Sequence, residues 1–181
     1  MNKMSDKSKT VIRLATVEDA PKLLEIYRYY VESTAITYEY DVPSLEEFEK
    51  RIENVLKNFP YLVAEQDGTI LGYAYASKFH ERAAYQWSVE MSIYLDKDQK
   101  RNGLGRMLYE ELEKRLKAQG ILNLYACIGY PEKEDEYLTY DSVRFHEKMG
   151  YKLIGEFHKC GKKFDRWYNM VWMEKIIGEH S

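Results

Sequence analysis

The stretch Gln99-Lys100-Arg101-Asn102-Gly103-Leu104-Gly105 decides how this chain is read. It lies between a strand-like run over residues 87–95 and a helical pattern over residues 103–119. A glycine-rich turn at such a junction lets backbone approach a ligand closely. The first N–H groups of the following helix have no partner inside it and point at whatever binds there. Lys100, Arg101 and Arg106 add positive charge. In chemical terms this is a cradle for a diphosphate. Upstream, Trp87, Val89, Met91, Ile93 and Leu95 alternate with Ser88, Glu90, Ser92 and Tyr94. A two-residue period puts Glu90 on the face opposite the apolar set. A central-strand carboxylate is costly unless solvated or paired. On periodicity alone, Glu90 is equally an edge-strand glutamate facing water or a base beside a phosphate-bearing cofactor. The second reading suggests group transfer.

The flanking sequence alternates helix and strand. Residues 11–14 read as a first strand. Thr16 with Asp19 resembles a cap for a helix to about residue 33, with Leu23, Leu24, Ile26, Tyr27 and Tyr30 as its inner stripe. Residues 35–42 form a tyrosine-rich loop. Ser44-Leu45-Glu46-Glu47 is a capping box for a helix to about residue 58. Runs 61–65 and 69–77 flank Asp67-Gly68 and read as a hairpin. The helix at 103–119 carries Leu104, Met107, Leu108, Leu112 and Leu116 on one face and ends at Gly120. A strand over 122–128, a short helix over 141–149 and two strands over about 153–160 and 167–176 complete the pattern. The expectation is an α/β single-domain fold over residues 11–177: a mixed central sheet with helices on both faces. Residues 1–10 read as a loose lead-in and 178–181 as a tail.

The 181 residues include 45% hydrophobic and 31% charged residues, which suits a globular protein with a substantial core. A formal charge of −3 argues against nucleic acid or an anionic membrane as partner. No apolar run approaches bilayer length, and the N-terminus has no secretory pattern. Cys127 and Cys160 are the two cysteines and show no metal spacing, so no metal is expected and cytoplasm is the default location. The 17 tyrosines suggest amphipathic surface at a site or a subunit interface.

These features together resemble the Gcn5-related N-acetyltransferase superfamily, and within it the phosphinothricin and methionine-sulfoximine acetyltransferases. The likeness covers residues 12–173. It rests on the glycine loop, on Val89-Glu90, and on Ser142-Val143-Arg144-Phe145-His146-Glu147-Lys148-Met149-Gly150-Tyr151. The resemblance implies acetyl-CoA as acetyl donor, with its pyrophosphate on the backbone of the loop. Lys100, Gly103 and Gly105 occupy the family's loop pattern, lysine being a departure there. The implied cofactor contacts are Ile93, Tyr94, Leu95, Lys100, Arg101, Asn102, Gly103, Leu104, Gly105, Arg106, Thr139 and Ser142. Thr139 stands where the family has asparagine, after a longer acidic loop over residues 132–138.

By the same resemblance Glu90 removes a proton from the acceptor amine, directly or through water. His146 is the second catalytic candidate: it could protonate the leaving thiolate, organise water, or touch CoA. Read without the family, it is a packed helix histidine. Arg82 and Tyr85 match a segment that binds an amino-acid-like substrate. Tyr38 and Glu39, together with Lys163, Trp167 and Tyr168, complete the acceptor side, with Tyr168-Asn169 replacing the family's His-Asp pair. Neither cysteine belongs to a motif with a base, so direct transfer is expected. The implied reaction acetylates the primary amine of a small amino-acid-like acceptor in a homodimeric enzyme. The alternatives are a protein or peptide N-terminal acetyltransferase and a non-catalytic acyl-CoA-binding module.

Overall fold

The computed structural model describes residues 9–99 and 101–181. Residues 1–8 of the lead-in expected over residues 1–10, and the cofactor candidate Lys100, lie outside the described residues. The chain order is β1 (Val11–Leu14), α1 (Ala20–Ser33), α2 (Leu45–Leu56), β2 (Tyr61–Gln66), β3 (Thr69–Lys78), β4 (Ser88–Leu95), α3 (Leu104–Gln119), β5 (Asn123–Tyr130), α4 (Asp141–Lys148), β6 (Lys152–Lys163) and β7 (Arg166–Ile176). The seven strands form one sheet in the order β1-β2-β3-β4-β5-β7-β6. All neighbours are antiparallel except β4 and β5. This is the mixed α/β fold expected from the sequence.

Local chemistry explains the element ends. The Ser44 hydroxyl accepts the Glu47 amide at 3.1 Å and opens α2. Asp67 and Gly68 both take positive φ, 51° and 77°, which matches the twist of the β2–β3 hairpin. Gly120 ends α3 with φ of 98°. Asp19 accepts the Thr16 amide at 2.8 Å, but Val17–Asp19 is a separate short 3-10 turn ahead of α1.

The sheet buries two layers. Leu62, Ala74, Val89, Met91, Leu124 and Met173 meet α3 and α4 on one face. On α3, Leu104, Leu108, Leu112 and Leu116 are buried as expected, but Met107 is 40% exposed and Tyr109 takes its place inside. The opposite face packs Tyr61, Val63 and Tyr73 under α1 and α2. Much of the tyrosine content therefore fills a core layer. Tyr61 stacks on Tyr75 at 4.7 Å, and Tyr94 meets Tyr27 edge-on at 5.1 Å. Among the described residues no helix is long and apolar enough to cross a membrane.

One irregularity positions the site. β4 pairs with β5 only at Ser88–Asn123, Val89–Leu124 and Glu90–Tyr125. The Trp87 carbonyl closes the vertex by accepting the Leu122 and Asn123 amides at 2.9 and 3.1 Å. Beyond Glu90 the two strands pair only with their outer neighbours, β3 and β7. The sheet thus opens into a wedge with Glu90 at its apex.

Candidate active site

Strand parity sets Ser88, Glu90, Ser92 and Tyr94 on the face covered by α1 and α2. Glu90 is half-buried. Burial pushes its carboxyl above the ordinary value of 4.5, and the positive charge of His80 opposes this. Tyr125, its partner on β5, shares this face, as does Cys127 two residues on. Trp172 of β7 is the cross-strand partner of Cys127. Phe79 stacks on Tyr125 at 4.3 Å and meets Trp172 edge-on at 5.6 Å. A carboxylate at the split is thereby bordered by aromatic rings.

At the far end of the wedge, α3 begins. Gly103 has φ of 81° with open space around it, and Arg101 also adopts positive φ, 58°. Asn102 accepts the Leu104 amide at 3.2 Å and donates to Gln99 at 2.7 Å, which fixes the turn. The remaining first-turn N–H groups have no acceptor within the helix. Gly105 is different. A Cβ there would lie 3.1 Å from the Phe145 ring, so its bareness serves the contact between α3 and α4. Arg106 leans along α3, 3.3 Å from Glu110. Ile93 and Leu95 pack against the α3 layer, whereas Tyr94 is enclosed by tyrosines of the other face. The Leu95 carbonyl accepts the Tyr30 hydroxyl at 2.5 Å. Thr139 accepts the Asp141 amide at 3.2 Å ahead of α4, and Ser142 is half-buried in its first turn. These geometries suit a long ligand with a diphosphate at α3 and a thin arm entering the wedge.

His146 is 3% exposed. Its Nδ1 donates to the Ser142 carbonyl at 2.7 Å, so Nε2 accepts the Tyr109 hydroxyl at 2.8 Å. Desolvation lowers its pKa to about 4. The imidazole is neutral, and both nitrogens are engaged in joining α4 to α3.

The loop expected on the acceptor side is strapped down. Between α1 and α2 the chain crosses the sheet face. Its Tyr38 hydroxyl donates to the Asn169 carbonyl at 2.5 Å, and its ring stacks on Tyr168. Gly161 and Gly129 leave room for that ring, since a Cβ at either would come within 3.2 Å of it. Lys163 is buried, and its Nζ donates to the Thr37 carbonyl at 2.9 Å; burial lowers its pKa. Glu39 is gripped by both Arg51 nitrogens at 3.0 and 2.7 Å and accepts the Tyr27 hydroxyl, which holds its carboxyl below the usual range. Tyr168 is buried and donates to Asp135 at 2.8 Å, while Trp167 is 58% exposed at the hairpin end. Tyr38, Lys163 and Tyr168 thus use their polar atoms on the protein itself.

Arg82 and Tyr85 lie at the closed end of the split. They line a cavity of about 450 Å³ with Lys78, His80, Trp87 and Gln119, where β4 begins and α3 ends. Arg82 makes no ion pair among the described residues. The 132–138 loop folds back on the β6–β7 hairpin. Asp135 accepts the Tyr137 and Leu138 amides, and Arg166 pairs with Asp135 and Glu136.

Sequence reasoning missed Arg51, Asp135 and Cys127. Arg51 pairs with Glu47 at i+4 on α2, and its second partner, Glu39, lies in the loop ahead of that helix. Cys127 faces the wedge only because β5 lies beside β4, a pairing between segments separated by a whole helix. Its side chain is exposed along the cleft, yet local desolvation and the charge of Glu90 push its thiol up to about 12. It is a neutral thiol, poorly suited as a nucleophile. Among the described residues no cluster of three or more His, Cys, Asp or Glu is placed to hold a metal.

Residues 12–172 match the acetyltransferase (GNAT) domain family. A phosphinothricin N-acetyltransferase of Streptomyces viridochromogenes is 32% identical over 91% of this chain and 86% of its own. The structure of a phosphinothricin acetyltransferase from Sinorhizobium meliloti in complex with AcCoA superposes with a TM-score of 0.86, at 34% identity over 93% of this chain and 89% of that one. A ribosomal-protein-alanine N-acetyltransferase from Brucella melitensis gives a TM-score of 0.85 at 32% identity, covering 92% and 99% of the two chains. A wedge between parallel strands, a glycine-led helix at its mouth and a carboxylate at its apex accord with these likenesses: the chain belongs to the GNAT acetyltransferases, close to the phosphinothricin acetyltransferases among them.

Proposed function

We propose that this enzyme moves acetyl from acetyl-CoA directly to the primary amine of a small amino-acid-like acceptor of the phosphinothricin or methionine-sulfoximine type. The observation that carries the reading is Glu90, half-buried where β4 and β5 part, with its carboxyl pushed above the ordinary range. Acetyl-CoA supplies a thioester carbonyl, an electrophile for a neutral amine. The first turn of α3, with Gly103 and Asn102, holds the diphosphate, and the wedge between residues 91–95 and 126–130 takes the arm. Glu90 accepts the ammonium proton, directly or through one water, and frees the amine lone pair. A carboxyl raised by burial is a better base near neutrality than a solvated one. His146, with both nitrogens engaged, acts as packing that fixes α4. Departure of a thiolate needs little help, because its reference thiol pKa is only about 8.5.

Arg82, exposed and without an ion pair among the described residues, supplies a guanidinium fork for an acceptor carboxylate, beside the hydroxyl of Tyr85. β6 presents Leu153, Ile154 and Phe157, all at least 45% exposed, on an outer strand, and this edge is the proposed face of a cytoplasmic homodimer. Light scattering on the purified chain checks this; a monomer at micromolar concentration rejects it.

The test of the activity is acetyl-CoA consumption against methionine sulfoximine, methionine sulfone, phosphinothricin, common amino acids, polyamines and short peptides. Turnover confined to peptides rejects the small-acceptor reading. Glu90→Gln is expected to lower kcat by roughly 10²–10⁴ with acetyl-CoA binding retained. In the parent enzyme the rate rises with pH through the raised Glu90 pKa, as the carboxylate forms. That acid limb disappears in Glu90→Gln. An unchanged rate and profile removes Glu90 as base.

A further inference from the structure

We propose that Cys127 is the wall of the acceptor pocket that limits how bulky a substituent the acceptor amine can carry. The inference rests on the reading of Glu90 as base and extends it to the neighbouring surface. Glu90 pairs with Tyr125, the last residue of β5 joined to β4. Cys127 is the next residue on the same face, and it is the first such position past the split. A central-strand side chain is normally covered on both sides. Cys127 is instead exposed, because the wedge begins beside it and α1 and α2 cover only the β2–β4 part of this face.

The surroundings indicate what sits there. Phe79, Tyr125 and Trp172 are all half-buried, and the Phe79 ring meets each of the other two. They form an apolar border on one side of Glu90. Farther along β5, Gly129 is covered by Tyr38 and the Ala35 carbonyl. The open surface between these two boundaries is Cys127. An amine nitrogen placed at Glu90 therefore directs its carbon substituent over the sulfur and against the rings. Cysteine is small and weakly polar, so it tolerates a methylene or thioether-sized group there. A larger residue at 127 fills the same volume. One methylene in such a pocket is worth roughly 10–200-fold in discrimination.

The experiment compares the parent chain with Cys127→Leu and Cys127→Ala, using glycinamide as a slender probe amine and methionine sulfone as a bulky one. In Cys127→Leu the ratio of kcat/KM for methionine sulfone over glycinamide is expected to fall by at least about tenfold, with the KM of acetyl-CoA within about twofold of the parent. In Cys127→Ala the same ratio rises. A ratio unmoved in both variants overturns the inference while leaving the acetyl-transfer reading intact. Absence of turnover with either probe in the parent chain, with peptides alone accepted, overturns the small-acceptor reading and this inference with it.

A second measurement does not depend on folding of a variant. In the Cys160→Ser protein, Cys127 is the sole thiol. N-ethylmaleimide is added slowly at pH 9, and mass spectrometry follows occupancy. Loss of methionine sulfone turnover is expected to track occupancy one for one, with acetyl-CoA binding retained. Full occupancy with full turnover places Cys127 outside the acceptor pocket.

Discussion

A histidine held neutral inside the protein leaves a signature in stability. His146 has its pKa lowered from 6.5 to about 4 by burial. In the unfolded chain it takes up a proton near pH 6.5, whereas in the folded protein it does so only near 4. Between those values the unfolded state binds more protons, so this residue's contribution is full above the unfolded pKa and is lost as pH falls through the window. The loss reaches about 3 kcal/mol at its limit. Urea unfolding from pH 7 to 4 is expected to show this slope, and His146→Gln is expected to flatten it. An equal slope in both proteins rejects the neutral buried state. Sequence alone left His146 between proton carrier and packed residue, because a helix histidine looks the same in either role. Tyr109, its hydrogen-bond partner on α3, lies 37 positions away. Glu90 was easier to read, since a period-two strand fixes its face without knowledge of its neighbours.

At the scale of elements, the two glycines opening α3 separate by conformation. Gly103 needs positive φ and has space around it; Gly105 is helical and pressed to Phe145. Gly103→Val is expected to strain the turn by about 1–3 kcal/mol and raise the KM for acetyl-CoA. Gly105→Val is expected to destabilise by about 1–3 kcal/mol through overpacking. Thermal melts with and without acetyl-CoA check the pair. Equal loss of cofactor affinity in both, with no loss of stability in Gly105→Val, contradicts the assignment. The helices and strands themselves were legible from caps, turns and periodicity. Met107 was misplaced because it follows the apolar stripe of α3, yet it lies at the stripe's margin, where Tyr109 fills the interior instead. The strap and the 132–138 loop were not legible, because their order comes from single polar atoms such as those of Arg51 and Asp135 meeting distant backbone.

For the whole molecule, the strap is the part that joins the α1–α2 layer to the β6–β7 hairpin. Arg51→Ala removes the fork on Glu39, the carboxylate that also accepts the Tyr27 hydroxyl. The expected result is an acceptor KM raised by about tenfold with the acetyl-CoA KM unchanged, since charge-assisted forks fix orientation as well as energy. Equal rises in both constants place the strap elsewhere. The wedge has a different consequence. Three residue pairs join β4 to β5, against eight joining β5 to β7. Mechanically the sheet is two panels, β1–β4 and β5–β7, riveted at one end. Amide protons facing the gap on residues 91–95 and 126–130 lack the ladder that would shield them. They are expected to exchange with deuterium faster than those on the outer edges of the same strands. A molecule lodged in the gap acts as a missing rivet: at about 100 times its Kd it adds about 2.7 kcal/mol to the folded state. Heat resistance of this protein is therefore expected to report how much acetyl donor surrounds it.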